Sequence, residues 1–166
     1  MKYLMTVLGL ALLGAIPAQA QQQAPQQVIS NPLGLIQNFN PETIEPLITE
    51  VGLNVRRQTI GGSEAVIVSD ARNWELVLQP TACGAAAGCL GLIMLAKPDI
   101  ATQPTAQQVM QYNANNNFMT AVMDGGNVWL RDYLVANYGV TRGSFIVELT
   151  LLYGALEQWQ PPAQQQ

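Results

Sequence analysis

Few residues of this 166-residue chain could carry chemistry, and their types narrow what that chemistry could be. There is no histidine, which removes the commonest general base and metal ligand. The two cysteines, Cys83 and Cys89, form a C-x5-C pair. That is not the C-x-x-C of a thioredoxin-like redox site. Two thiols without histidine also cannot complete a tetrahedral zinc site within one chain. The pair reads as a structural disulfide.

The carboxylates Asp70, Glu75, Asp124 and Asp132 fall on expected turns and strands. Convergence of Asp124 and Asp132 would suit glycoside hydrolysis. The simpler reading has Asp124 serving a turn and Asp132 bonding local backbone. Ser144 lies in RGSF, which lacks the nucleophile-elbow pattern, and fits the first turn of a helix. No Walker A motif is present. The sequence therefore predicts no catalytic residue, no cofactor and no metal site. Two other functions stay open: an envelope hydrolase using the scattered carboxylates, and a structural assembly subunit.

The cysteines must be held by the stretch 75–96, the densest apolar run after residue 20. In residues 74–79, Trp74, Leu76 and Leu78 share one face and Glu75, Val77 and Gln79 the other, the alternation of a half-buried strand. Residues 90–96 are apolar on both faces, as in a strand covered on both sides. Gly84 and Gly88 frame three alanines and give a loop room to turn. With Cys83 opposite Cys89, Ala82 opposes Leu90, Pro80 opposes Leu92 and Leu78 opposes Met94. Pro80 cannot donate to a ladder, which predicts a bulge there or a backbone nitrogen that faces outward.

Around this hairpin the pattern predicts an α+β domain of order α-β-β-β-β-α-β-β-α. A first helix starts after Asn40, with Asn40 as cap, Pro41 at the first position and Ile44, Leu47, Ile48 and Val51 as its stripe. Pro46 predicts a kink or a later start. Residues 54–60 and 65–68 flank Gly61-Gly62, a hairpin signal. Thr105 and Gln108 fit a capping box for a helix over 106–114, with Ala106, Val109 and Met110 inward. Residues 118–123 and 128–133 flank Asp124-Gly125-Gly126, a second hairpin. Thr141 can cap a last helix reaching Trp159, with Phe145, Leu149, Leu152 and Leu156 inward and Gly154 as a weak point. Asn113 is expected to bond the helix terminus or the following loop, and Tyr112 to pack in part; a ligand-facing pair is the alternative. Trp74 reads as core. Trp129 and Trp159 suit either a core rim or an interface.

Residues 1–20 read as a secretory signal peptide, with Lys2 at its start, an apolar run over 4–16 and a small-x-small site before the Ala20–Gln21 bond. The apolar run is shorter than the roughly 18 residues a membrane span needs. The expected location is the periplasm or the medium, where disulfides persist. Residues 21–39 read as a Gln-rich linker, 40–159 as the domain and 160–166 as a disordered tail. The formal net charge is −4, and losing Lys2 makes it −5, six basic residues against eleven acidic. There is no basic stripe, which argues against nucleic acid and anionic membrane surfaces.

With this order in place, residues 41–159 resemble the YbjN family, whose members are described as regulators of bacterial sensory transduction. The likeness rests on Gly52, the Cys83/Cys89 pair, Tyr112-Asn113, Phe118, Asp124-Gly125-Gly126, Asp132 and Gly139-Val140-Thr141. Many members carry Trp-Asn where this chain has Tyr112-Asn113. The resemblance implies a fold similar to type III secretion chaperones, an antiparallel sheet with helices packed on it. It also implies protein binding and dimerisation without catalytic residues. The leader and the cysteine pair set this chain apart from cytoplasmic chaperones. The expected partner is another polypeptide or a second copy, bound on a sheet face or edge left open by helices on one side.

Overall fold

The computed structural model describes residues 29–100 and 103–159. The expected signal peptide, its expected Ala20–Gln21 junction, the Gln-rich tract 21–27 and the expected tail 160–166 lie outside the described residues.

The elements run β1 (Leu35–Ile36), α1 (Pro41–Glu50), β2 (Asn54–Ile60), β3 (Ser63–Ser69), β4 (Glu75–Gly84), β5 (Gly88–Ala96), α2 (Ala106–Asn115), β6 (Thr120–Asp124), β7 (Asn127–Val135), β8 (Val140–Thr141) and α3 (Arg142–Gln158). Six strands form an antiparallel sheet in the order β2-β3-β4-β5-β7-β6. The three helices and these six strands follow the expected order. The short pair β1–β8 is additional, with Leu35 opposite Thr141 and Ile36 opposite Val140.

Local chemistry explains the turns. Gly61-Gly62 and Gly125-Gly126 all hold positive φ, which two-residue hairpin turns of the primed type require. Thr105 and Gln108 close a reciprocal capping box on α2. The Thr141 hydroxyl accepts from the Ser144 amide at 3.1 Å and caps α3, so Ser144 is indeed a first-turn residue.

The core lies between one sheet face and the helices. Cross-strand rows such as Val55–Val68–Leu76–Ala96–Leu130–Ala121 point into it. Ile44 and Ile48 of α1 and Phe145, Leu149 and Leu152 of α3 meet them, each at 1 % exposure or less. Arg57 of β2 fastens α1 from the side. Its guanidinium donates to Glu45 at 2.7 and 3.0 Å and to Glu42 at 2.7 Å.

Several expectations need correction. The linker assigned to 21–39 is already domain from Ile29 onward, because Ile36 and Phe39 are core residues and the Phe39 ring lies 6.4 Å from that of Phe145. Helix α1 starts at Pro41 and carries Pro46 inside it on the exposed side. Asn40 occupies the cap position without a side-chain cap bond; its amide oxygen serves β5 instead, accepting from the Cys89 amide at 2.9 Å. On α2 only Val109 is buried, while Ala106 and Met110 face outward, because the helix lies along β6 at the sheet margin. In β5, Ile93 and Leu95 are only half-buried while Leu92 and Met94 are fully buried, so the strand is covered on one face, not two.

Candidate binding surface

The register of the stapled hairpin matches its sequence reading at Cys83–Cys89, Pro80–Leu92 and Leu78–Met94. Ala82 and Leu90 are not paired, because Ala82 takes a left-handed backbone with φ 51°. Pro80 shows no bulge. The β3 ladder ends at Val66–Leu78, so no β3 partner is lost at Pro80. Cys83 and Cys89 are joined in a disulfide.

Register also fixes the second face of the sheet. Its central row runs Arg56–Ile67–Val77–Leu95–Arg131–Thr120, and the next row contains Ile93 and Tyr133. Val77, Ile93 and Leu95 are half-buried, and Tyr133 and Val135 are 46 % and 47 % exposed. Ile67 is 3 % exposed, although it lies outside the helix-side core cluster. Tyr133 lies over Gly91. A Cβ there would come within 2.3 Å of the Tyr133 hydroxyl and 2.4 Å of the Thr81 hydroxyl. The glycine thus leaves a seat for the ring.

Charge lies around this apolar strip. Arg56 donates across the strands to Glu75 at 2.9 Å and along its own strand to Gln58 at 2.7 Å. These exposed pairs contribute little stability, but they keep the flank of the face polar. Arg131 is exposed on the same side.

The two sheet edges differ. At β6, Asn113 of α2 acts as a substitute strand. Its amide donates to the Ala121 carbonyl at 2.9 Å and accepts from the Ala121 N–H at 2.7 Å. Asn113 therefore bonds the following strand itself, beyond the loop expected to receive it. At β2 the only backbone partner among the described residues is β3.

The candidate carboxylates do not converge. Asp70 closes the β3–β4 turn, accepting from the Arg72 and Trp74 amides at 2.9 and 3.0 Å and from the Arg72 side chain at 2.7 Å. Burial pushes its carboxyl up, but these bonds together outweigh burial and hold it below the usual range. Asp124 is exposed at the β6–β7 turn, opposite Asn127. Asp132 lies five residues further along β7, about 17 Å at strand rise, and on the helix side of the sheet. That is too far for a glycosidase pair. Asp132 accepts from the Tyr133 amide at 2.7 Å, the local bond its type suggests. Across from it, burial and then the Asp132 charge raise the Glu148 carboxyl above its ordinary range. Among the described residues no group of three or more His, Cys, Asp or Glu could hold a metal ion.

The aromatic residues divide. Trp159 is 5 % exposed and stacks on Tyr112 at 4.2 Å between ring centroids. Trp74 packs partly against the core beneath the Arg72 guanidinium, 3.8 Å from its ring centre. Trp129 is half-buried on the open face.

The fold, an antiparallel sheet with helices packed on one side, is similar to that of a type III secretion chaperone. The crystal structure of the Yersinia pestis type III secretion chaperone SycH in complex with a stable fragment of YscM2 matches with a TM-score of 0.50. The two are 17 % identical, and the match covers 70 % of this chain and 96 % of that one. At that identity the likeness is one of fold. The family model of YbjN, described as "Putative bacterial sensory transduction regulator", matches residues 40–165, and the chain belongs to that family. No curated protein matches the chain.

Proposed function

We propose that this protein is an exported, non-enzymatic binding module of the cell envelope that holds another polypeptide, or a second copy of itself, on its open sheet face. The observation that carries this reading is the pair Val77–Leu95 with Ile93 and Tyr133 beside it. It is an apolar strip with no helix on it among the described residues and a polar flank at Arg56 and Glu75. Such strips on sheets bind extended or helical segments through side-chain burial, and an open margin at β2 allows a strand to be added. The scattered carboxylates give no acid–base pair, so binding without turnover fits the residues better than hydrolysis. Export rests on the leader pattern and the cysteine pair.

The test is affinity capture from a bacterial envelope extract with chemical crosslinking, followed by hydrogen exchange of the complex. Protection should appear on β4, β5 and β7. Protection confined to residues 21–27 and 160–166, or turnover of an envelope substrate that is lost in Asp124→Asn, would defeat the reading. Mass analysis of the mature N-terminus should find Gln21; a retained Met1 would remove the export component.

A further inference from the structure

The hairpin tip carrying the cysteines is joined to more than itself. Beyond Thr81–Gly91 the ladders give out: β3 stops at the Val66–Leu78 pair and β7 at the Gly91–Val135 pair, with one further bond from the Ala136 amide to the Leu90 carbonyl at 2.8 Å. What meets it is the segment leading into α1. The Phe39 amide donates to the Cys89 carbonyl at 2.7 Å, and the Cys89 amide donates to the Asn40 side chain at 2.9 Å. Gly88 lets the two approach, since a Cβ there would lie 2.9 to 3.0 Å from the Asn38 and Asn40 amides. Asn38 holds the same segment, accepting from the Asn40 amide at 3.2 Å and the Thr43 hydroxyl at 2.9 Å. Asn40 has thus left the helix-cap role its type favours in order to bond Cys89.

We infer that the Cys83–Cys89 disulfide is a redox-operated latch that holds residues 38–40, and with them the start of α1, against the tip of the β4–β5 hairpin. Cys83 is exposed, so a dithiol reductant can reach it. A thiolate of the dithiol attacks one cysteine sulfur and forms a mixed disulfide. That attack breaks the Cys83–Cys89 bond and frees the other cysteine; the second thiol of the reductant then closes its own disulfide and frees the attacked cysteine. Two electrons and two protons pass to the protein. Without the crosslink, Ala82 leaves its left-handed backbone and the loop of Gly84, three alanines and Gly88 frays. The Cys89 carbonyl and amide then lose their fixed position opposite Phe39 and Asn40. The sheet centre stays closed, because its rows are packed by α1 and α3 independently of the tip.

Amide hydrogen exchange of the full chain, oxidised and then reduced with dithiothreitol, tests this. After reduction the Phe39 and Cys89 amides should exchange at least about tenfold faster. Reoxidation should restore them, while the Leu78 and Met94 amides keep their protection. In the oxidised protein, Asn40→Ala should by itself speed exchange at Cys89, and reduction should then add less there than in the wild type. Unchanged exchange at Phe39 and Cys89 on reduction would overturn the latch. Equal acceleration at Leu78 and Met94 would also overturn it, making the disulfide a global staple. So would an Asn40→Ala variant with wild-type exchange at Cys89.

Discussion

Asn113→Ala removes a substitute strand from the sheet margin, and its cost can be worked from two bonds. Asn113 pairs with both backbone groups of Ala121, at 2.9 and 2.7 Å, and Ala121 is 3 % exposed. A neutral hydrogen bond contributes about 0.5–1.5 kcal/mol net, and a buried group left unsatisfied costs about 1–3 kcal/mol. Asn113 is half-buried, so truncation lets water approach the freed groups. The low end then applies to each group, for a total of about 1–3 kcal/mol. Against a domain stability of about 5–15 kcal/mol this is large. Urea unfolding should show a lower midpoint, by about 1 M, with the slope unchanged. Asn113→Asp separates the two bonds. At pH 7 its carboxylate still accepts from the Ala121 N–H, but it faces the Ala121 carbonyl with an oxygen and should be as harmful as alanine. Below about pH 4 a protonated carboxyl can donate again, and part of the loss should return. A midpoint for Asn113→Ala within about 0.5 kcal/mol of wild type, or a neutral Asn113→Asp at pH 7, would refute the substitute-strand reasoning.

Phe39→Ala should cost about 3–5 kcal/mol in the same assay, since the ring is fully buried against Phe145; a loss below 1 kcal/mol, roughly a surface effect, would return residues 29–39 to the status of linker. Replacing both Cys83 and Cys89 with serine should cost about 2 kcal/mol or less, because the loop they close is short; thermal melts with and without reductant check this. Glu148 holds its proton to higher pH in the folded chain than in the unfolded one, through burial and then the Asp132 charge. The folded state therefore binds more protons between the ordinary carboxyl value and the raised one, and stability falls as pH rises through that window. Glu148→Gln should melt above wild type at pH 7, with the gap closing below about pH 4; a gap constant across that range would contradict the assignment.

Much of the fold was legible because it is encoded locally. Leu76 and Leu78 alternate with Val77 and Gln79, and the Gly-Gly pairs can hold the positive φ that their turns need. Thr105 with Gln108 and Thr141 with Ser144 are caps written within one helical turn. The failures share a cause, which is a partner distant in sequence. Asn40 looks like a helix cap from its neighbours, yet its oxygen goes to an amide 49 residues away. Phe39 follows a Gln-rich tract, and composition alone extended the linker over it, although Ile29, Ile36 and Phe39 are the apolar residues a core would use. Strands β1 and β8 have two residues each, too short to show any period. Asn113 was read correctly as a backbone-bonding residue, but only the folded chain brings Ala121 to it as a strand neighbour.

The open face posed a different difficulty, because the sequence of β5 does not distinguish its two sides. Leu92 and Met94 are fully buried while Ile93 and Leu95 between them are half-exposed, yet all four are apolar. On periodicity alone such a run means cover on both faces. Neighbouring strands do contain the information. In β4 the same face carries Glu75 and Gln79 around Val77, and in β2 it carries Arg56 and Gln58, residue types seldom placed under a helix. The face is therefore apolar at its centre and polar toward β2. A helix of the chain's own would bury both parts and leave Arg56 and Glu75 to be desolvated as a pair, at a cost their attraction need not recover. An incoming polypeptide laid over Val77, Ile93, Leu95 and Tyr133 avoids that cost. It gains the apolar centre and leaves the Arg56–Glu75 bridge in water at its rim. With the β6 side occupied by Asn113 and α2, such a partner can extend past the sheet only at β2, where Arg56 and Arg57 mark the margin.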